Sequence, residues 1–201
     1  IVVALGRRAT TGGLGLDVAG VATVDGRVAA SLEQETTAPG VFAAGDVCGP
    51  HEIVHLAIEQ GVIAARNAAR ALGKLGGPRE RMDYRVRIFA VFTQPEIAQV
   101  GATEAELAAE GREFRVAKHP FADHGKAMVA GETEGFVKLL AGPRSVEILG
   151  GAAAGPHASE LIHEIAVAMA FRATAAQLAR IPHYHPTLSE IWTYPAEELA
   201  G

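Results

Sequence analysis

A histidine and a glutamate five positions apart give this 201-residue chain its clearest capacity for acid–base chemistry: His185 and Glu190, in His183-Tyr184-His185-Pro186-Thr187-Leu188-Ser189-Glu190. Pro186 disfavours helical backbone at the residue before it and suits the first position of a helix, so the His185 imidazole is expected at a helix mouth. Glu190 then falls in the first turns, where its carboxylate can fold back on the ring, fix its tautomer and raise its basicity. This is the base-plus-orienter arrangement of thiol and acyl chemistry. The same residues also read as a proline-started helix with a solvated His and Glu. His183 and Tyr184 acquire no role from their spacing.

A second group is Thr37-Ala38-Pro39-Gly40-Val41-Phe42-Ala43-Ala44-Gly45-Asp46, a short apolar run ending in Gly then Asp. Gly45 lets backbone approach a ligand closely, and Asp46 offers a carboxylate to a pair of sugar-like hydroxyls. A third group, His51-Glu52-Ile53-Val54-His55, fits the H-E-x-x-H pattern of zinc hydrolases, in which a helix sets two imidazoles on one face. A third ligand on a separate element is needed there, and only generic candidates such as Glu80 exist. The metal reading is set aside.

Composition narrows the classes. A net charge of −5, with no basic run longer than Arg7-Arg8, excludes a nucleic-acid surface of the usual kind. Cys48 is the only cysteine, so no intrachain disulfide exists and a reducing, cytoplasmic compartment is expected. The most apolar stretch, Leu161 to Phe171, is interrupted by His163 and Glu164, and no segment approaches the roughly 20 apolar residues of a membrane span.

The elements that must hold these groups fall into two pieces. Ile1-Val2-Val3-Ala4-Leu5 running into Gly6 reads as a buried strand entered in mid-sheet, and the chain reads as cut from a longer one. Arg27–Leu32 and Val41–Ala44 read as strands. A helix from about Glu52 to Leu72 should turn Ile53, Leu56, Ala57, Val62, Ile63, Ala65 and Ala69 inward and stop at Gly73. Residues 73–83 read as a linker, giving domains 1–82 and 83–201. In the second piece, strands are expected at Val86–Phe92, Ile97–Gly101, Glu113–Lys118, Gly135–Ala141 and Val146–Ala153. Thr103 with Glu106, and Thr174 with Gln177, form capping boxes of short helices. A longer helix spans His157–Phe171, and another starts at Pro186. Strands before helices indicate an α+β fold with an antiparallel sheet.

The window at His185 resembles the C-terminal segment of the flavin disulfide reductases (pyridine nucleotide-disulfide oxidoreductases), with its Leu188-Ser189 form most similar to the dihydrolipoyl dehydrogenase branch. Phe92-Thr93-Gln94-Pro95-Glu96-Ile97-Ala98, Gly135-Phe136-Val137-Lys138-Leu139 and Gly155-Pro156-His157-Ala158-Ser159-Glu160-Leu161 are similar, in order, to segments of that family's interface domain. Ile1 to Arg8 is similar to the run leading from its nicotinamide domain back into its flavin domain. The resemblance implies an α+β dimerisation domain preceded by the remnant of an α/β FAD-binding domain. It implies His185 as catalytic base and Glu190 as its partner, completing the active site of the other subunit of a homodimer. It also implies that Asp46, beside Gly45, binds the ribityl chain of FAD, with Val54, His55 and Ala57 near the flavin pyrimidine at a helix N-terminus.

By the same resemblance, the parent enzyme is FAD- and NAD-dependent and oxidises a small dithiol such as a lipoyl group. The redox cysteine pair and both nucleotide fingerprints lie outside the chain as given: Cys48 has no partner, and Gly13-Leu14-Gly15 is followed by Val18. The chain is therefore expected not to catalyse alone. Mercuric reductase-like and glutathione reductase-like parents fit less well, the first for want of a C-terminal cysteine pair and the second for its different residues between His-Pro-Thr and Glu. A non-catalytic dimerisation module is the reading from another class. Ile191-Trp192-Thr193-Tyr194-Pro195 departs from the alanine-rich flank the resemblance implies.

Overall fold

A computed structural model describes all 201 residues, which divide into two compact units, Ile1–Asp83 and Tyr84–Gly201. The first holds a ribbon of two short antiparallel strands, β1 (Thr23–Val24) and β2 (Arg27–Val28). Asp25-Gly26 joins them, both residues at positive φ as a tight hairpin requires. Val21, Val28 and Ala38 form a small core with Leu16, Ala43, Val47 and Cys48 against it. Beyond β2, the strand expected to Leu32 reduces to a single bridge between Ala30 and Thr36.

Two further expectations for this unit are corrected. Ile1, Val2 and Leu5 are almost fully exposed and belong to no sheet. An apolar run without a neighbouring strand has no partner for its N–H and C=O groups and does not become a strand by hydrophobicity alone. Val41–Ala44 is an extended strap with one bridge, Phe42 to Glu35, held by Ala43 N–H donating to Gln34 O at 3.0 Å.

Helix α1 (Val54–Ala71) starts two residues later than the sequence suggests and ends at Gly73, where the N–H groups of Gly73 and Lys74 donate to the carbonyls of Arg70 and Ala69. Its inward face is Leu56, Gln60, Ile63 and Asn67, whereas Val62 and Ala65 are exposed. The two buried amides escape an apolar-periodicity reading because their partners are backbone. Asn67 Nδ2 donates to the carbonyls of Glu33 (2.9 Å) and Glu80 (2.8 Å), and its Oδ1 accepts from Glu80 N–H. Met82 is buried and its N–H donates to Leu32 O. The last part of the expected linker is thereby tied into the first unit.

The second unit is a five-stranded, fully antiparallel sheet. Its strands are β3 (Ile88–Val91), β4 (Glu96–Gly101), β5 (Arg115–Pro120), β6 (Phe136–Ala141) and β7 (Ile148–Gly155), in the order β3-β4-β7-β6-β5. This is the antiparallel α+β arrangement expected. Helix α2 (Glu104–Ala109) begins on the Thr103–Glu106 capping box, and α3 (Gly125–Ala130), not anticipated, follows a 3₁₀ turn at Phe121–Asp123. Helix α4 (Ala158–Ala170) packs Ile162, Ile165 and Met169 onto the sheet. At Gly151 a Cβ would stand 3.0 Å from Ile165 Cγ2, so a small residue in central β7 lets the helix lie close. The Glu96 carboxylate accepts from Ser159 N–H (3.0 Å) and Oγ (2.7 Å), joining β4 to the first turn of α4.

Helix α5 (Ala175–Ala179) starts on the Thr174–Gln177 box. The C-terminal helix does not begin at Pro186. Residues 183–188 are irregular, Ser189–Trp192 form a 3₁₀ turn, and α6 (Thr193–Ala200) follows. Ile191 and Trp192 are completely buried, and burying that pair fixes where the turn starts.

Candidate functional site

In the second unit, His185 and Glu190 are brought together. His185 Nδ1 lies 3.0 Å from Oε2 and 3.1 Å from Oε1 of Glu190, facing both oxygens of the carboxylate. An ionised carboxylate only accepts, so Nδ1 carries the proton and Nε2 is left as the basic atom. The His185 side chain is 78% exposed and that of Glu190 14% exposed: the orienter is fixed in the fold while the base faces outward. Glu190 owes its position to its neighbours. Trp192 is fully buried and its Nε1–H donates to Leu161 O in α4 at 3.0 Å, while Thr193 Oγ1–H donates to the Glu190 carbonyl at 2.7 Å. The Ile191-Trp192 departure from an alanine-rich flank therefore lies in the core.

Three histidines beside this pair had no role in the sequence reading. His124 is completely buried, its Nε2 is 3.6 Å from Glu190 Oε1, and neither ring nitrogen has a hydrogen-bonding protein partner. Burial pushes its pKa below the ordinary histidine value, an effect the Glu190 carboxylate offsets only in part. His119 stacks on Tyr194, with ring centroids 4.0 Å apart and planes 5° from parallel, and His124 meets the same ring edge-on. His183 Nε2 lies 2.5 Å from Glu164 Oε1. A signal for that last pair was present: Glu164 interrupts the most apolar stretch of the chain. His124 had none, because the segment carrying it has neither strand nor helix periodicity.

In the first unit, Gly45 has φ +87°, a conformation strained for any L side chain, and its N–H donates to Gln60 Oε1 at 2.7 Å. Gln60 Nε2 donates to Gly49 O, so one buried amide fixes both ends of the loop holding Asp46. A Cβ at Gly45 would meet Ala57 Cβ at 3.7 Å, which brings the Gly-Asp loop against the first turn of α1. Asp46 is half exposed and pairs with Arg7 at 3.3 Å. Arg7 also bonds Glu52, whose carboxyl is held below its usual range chiefly by the Arg27 guanidinium. Val54 and His55 are exposed, and Ala57 is partly buried.

The first turn of α1 has no side-chain cap and no acidic residue, so its N–H groups and positive dipole end remain available to negative charge. An open helix N-terminus, a loop pressed against it and a half-exposed carboxylate fit a flavin's polyol chain and pyrimidine edge. The zinc pattern is not assembled: His51 and Glu52 precede the helix, and no group of three or more His, Cys, Asp or Glu side chains is arranged to hold a metal. Cys48 is half buried, its Sγ lies 3.3 Å from Gly45 O, and burial pushes its thiol pKa up. No helix is long and apolar enough to cross a membrane.

The chain is similar to known proteins over both units. Residues 89–196 match the pyridine nucleotide-disulphide oxidoreductase dimerisation domain, and residues 1–61 match the pyridine nucleotide-disulphide oxidoreductase family. The chain is 40% identical over 200 residues to dihydrolipoyl dehydrogenase of Thermus scotoductus, covering 99% of this chain and 42% of the relative. It is 38% identical over 192 residues to that of Cupriavidus necator, covering 95% and 39%. Among solved structures it is similar to LpdA from Mycobacterium tuberculosis, with TM-score 0.83 and 32% identity over 96% of this chain and 41% of that one. With the HOCl-induced flavoprotein disulfide reductase RclA from Escherichia coli it shares the fold, at TM-score 0.80 and 24% identity over 96% and 44%. The chain spans about two fifths of the length of the curated relatives it matches.

Proposed function

The chain belongs to the pyridine nucleotide-disulphide oxidoreductase family, and on that premise we propose that it is the C-terminal part of a dihydrolipoyl dehydrogenase-like enzyme in which His185 is the catalytic base and Glu190 its orienter. The observation that carries this reading is the pair itself: Nδ1 held at 3.0 Å by a nearly buried carboxylate, with Nε2 on an exposed face. In that role Nε2 takes the proton of a substrate thiol as the thiolate forms, and the imidazolium is stabilised by Glu190. The exposed face suits a site shared with the second subunit of a homodimer formed through residues 83–201. Relatives named dihydrolipoyl dehydrogenase favour a small dithiol or lipoyl substrate and NAD as the final acceptor over glutathione or mercuric ion. The lone, half-buried Cys48 suits a reducing, cytoplasmic compartment.

FAD would be held in part by Asp46, through its carboxylate, and by the loop at Gly45 against α1, near Val54, His55 and Ala57. When bound, it supplies the two-electron acceptor for the dithiol. The protein's own work there is to orient the polyol and present a helix N-terminus to negative charge. With neither a cysteine pair nor a nucleotide fingerprint, the 201 residues by themselves are expected to be inactive.

The test is rapid-mixing measurement of dithiol oxidation in the full-length parent. His185→Ala should slow it by roughly two to four orders of magnitude with FAD content unchanged. A rate within threefold of the parent's would leave this segment a dimerisation module.

A further inference from the structure

His183 is the histidine of this segment that acid–base chemistry at His185 leaves unused. Its side chain is 9% exposed. Nδ1 lies 2.9 Å from the Ile181 carbonyl oxygen and Nε2 lies 2.5 Å from Glu164 Oε1. A carbonyl and a carboxylate can only accept, so both contacts are hydrogen bonds only if the ring donates from both nitrogens, which a neutral imidazole cannot do. Glu164 from α4 bonds the ring, and the Glu190 carboxylate of the 3₁₀ turn adds a weaker favourable charge. Burial opposes the charged form, but these carboxylates and the Ile181 carbonyl outweigh it and raise the pKa above the ordinary histidine value.

The same helix anchors the other side of the pair. Leu161, one turn before Glu164 in α4, takes the indole N–H of Trp192 through its carbonyl. Residues 185 and 190 thus lie between two attachments to one rigid element. We propose that His183 is a positioning residue: donating from both ring nitrogens, it staples residues 181–185 to Glu164 of α4 and fixes the approach of His185 to Glu190. This rests on the reading of His185 as the base. A ring that loses its proton gives up one of its two bonds, so the staple is intact below the ordinary histidine value of about 6.5 and loosens as pH rises through the raised pKa of the ring.

A nitrogen-15 NMR pH titration of the 201-residue chain gives the first test: both His183 ring nitrogens should keep the protonated signature to a higher pH than an ordinary histidine, whose midpoint is about 6.5. A midpoint at or below the ordinary value overturns the proposal. Glu164→Gln keeps an acceptor and removes the charge. It should lower that midpoint and drop the backbone order parameters of residues 183–185 to mobile values, below about 0.6, and unchanged order overturns the proposal. In the full-length enzyme, Glu164→Gln should narrow the alkaline side of the kcat/KM profile. A profile identical to the parent's, in an enzyme that His185→Ala inactivates, would overturn the positioning role alone. If instead His185→Ala leaves dithiol oxidation intact, the reading of the base falls, and the two NMR results report on the staple independently.

Discussion

His124 Nε2 lies 3.6 Å from Glu190 Oε1, so the carboxylate that holds His185 at the surface has a second imidazole behind it in the core. That ring is neutral in the fold because burial disfavours its charged form more than Glu190 favours it. A depressed histidine pKa means that the unfolded chain binds the extra proton. The stability concerned is complete above the ordinary value of about 6.5 and is lost as pH falls through the folded value. His183 has the opposite sign: its contribution is complete below about 6.5 and is lost as pH rises through its raised pKa. Urea unfolding followed through Trp192 fluorescence should show stability falling on both sides of neutrality. His124→Leu should flatten the acid side, and Glu164→Gln the alkaline side. An acid side unchanged in His124→Leu would remove His124 from this account.

Trp192 is fully buried and its indole N–H is bonded to Leu161 O. Trp192→Ala should cost about 3–5 kcal/mol, the usual range for emptying a core aromatic site. Trp192→Phe keeps most of the packing and loses only the indole hydrogen bond, since the Leu161 carbonyl keeps its helical donor in α4, and should cost about 0.5–1.5 kcal/mol. Denaturant unfolding followed by circular dichroism separates the two.

Gly45 and Gln60 make a comparable test in the first unit. Gly45→Ala meets only an ordinary contact with Ala57, so its cost comes from φ +87° and should be about 1–2 kcal/mol. Gln60→Leu fills the same space but strands the Gly45 N–H and the Gly49 carbonyl, and should cost about 1–3 kcal/mol for each group that water cannot reach. Thermal unfolding of both variants checks the order.

Asp46 can be changed without leaving an orphan charge, because Arg7 keeps Glu52 as a partner. In the full-length parent, Asp46→Ala should weaken FAD retention by roughly 10- to 100-fold, the worth of a hydrogen bond to a charged group. Fluorescence of released flavin on dilution measures it. Retention equal to the parent's would take Asp46 out of the flavin site.

The sheet of the second unit was readable because its strands are short apolar or alternating stretches bounded by turn chemistry, and because Thr103–Glu106 and Thr174–Gln177 mark helix starts by local bonding alone. His185 and Glu190 were readable because their partnership spans five residues. Misread elements depended on distant partners. The Ile1–Leu5 run has the composition of a buried strand and no strand beside it, and α1 buries Gln60 and Asn67 because their acceptors and donors are backbone far away in sequence. Pro186 fits a helix start locally, yet the turn begins at Ser189 because Ile191 and Trp192 must reach the core. His124 meets Glu190 across 66 positions of sequence, a relation no local pattern carries.

A double-mutant cycle on dithiol oxidation in the full-length parent tests most directly whether Glu190 acts through His185. Glu190→Gln alone should slow the reaction by about tenfold or more, while adding it to His185→Ala should change the rate by less than about twofold, since an orienter without its base has nothing to orient. Effects that multiply, with the double variant slower than His185→Ala by the full Glu190→Gln factor, would contradict the pairing of these two residues as base and orienter.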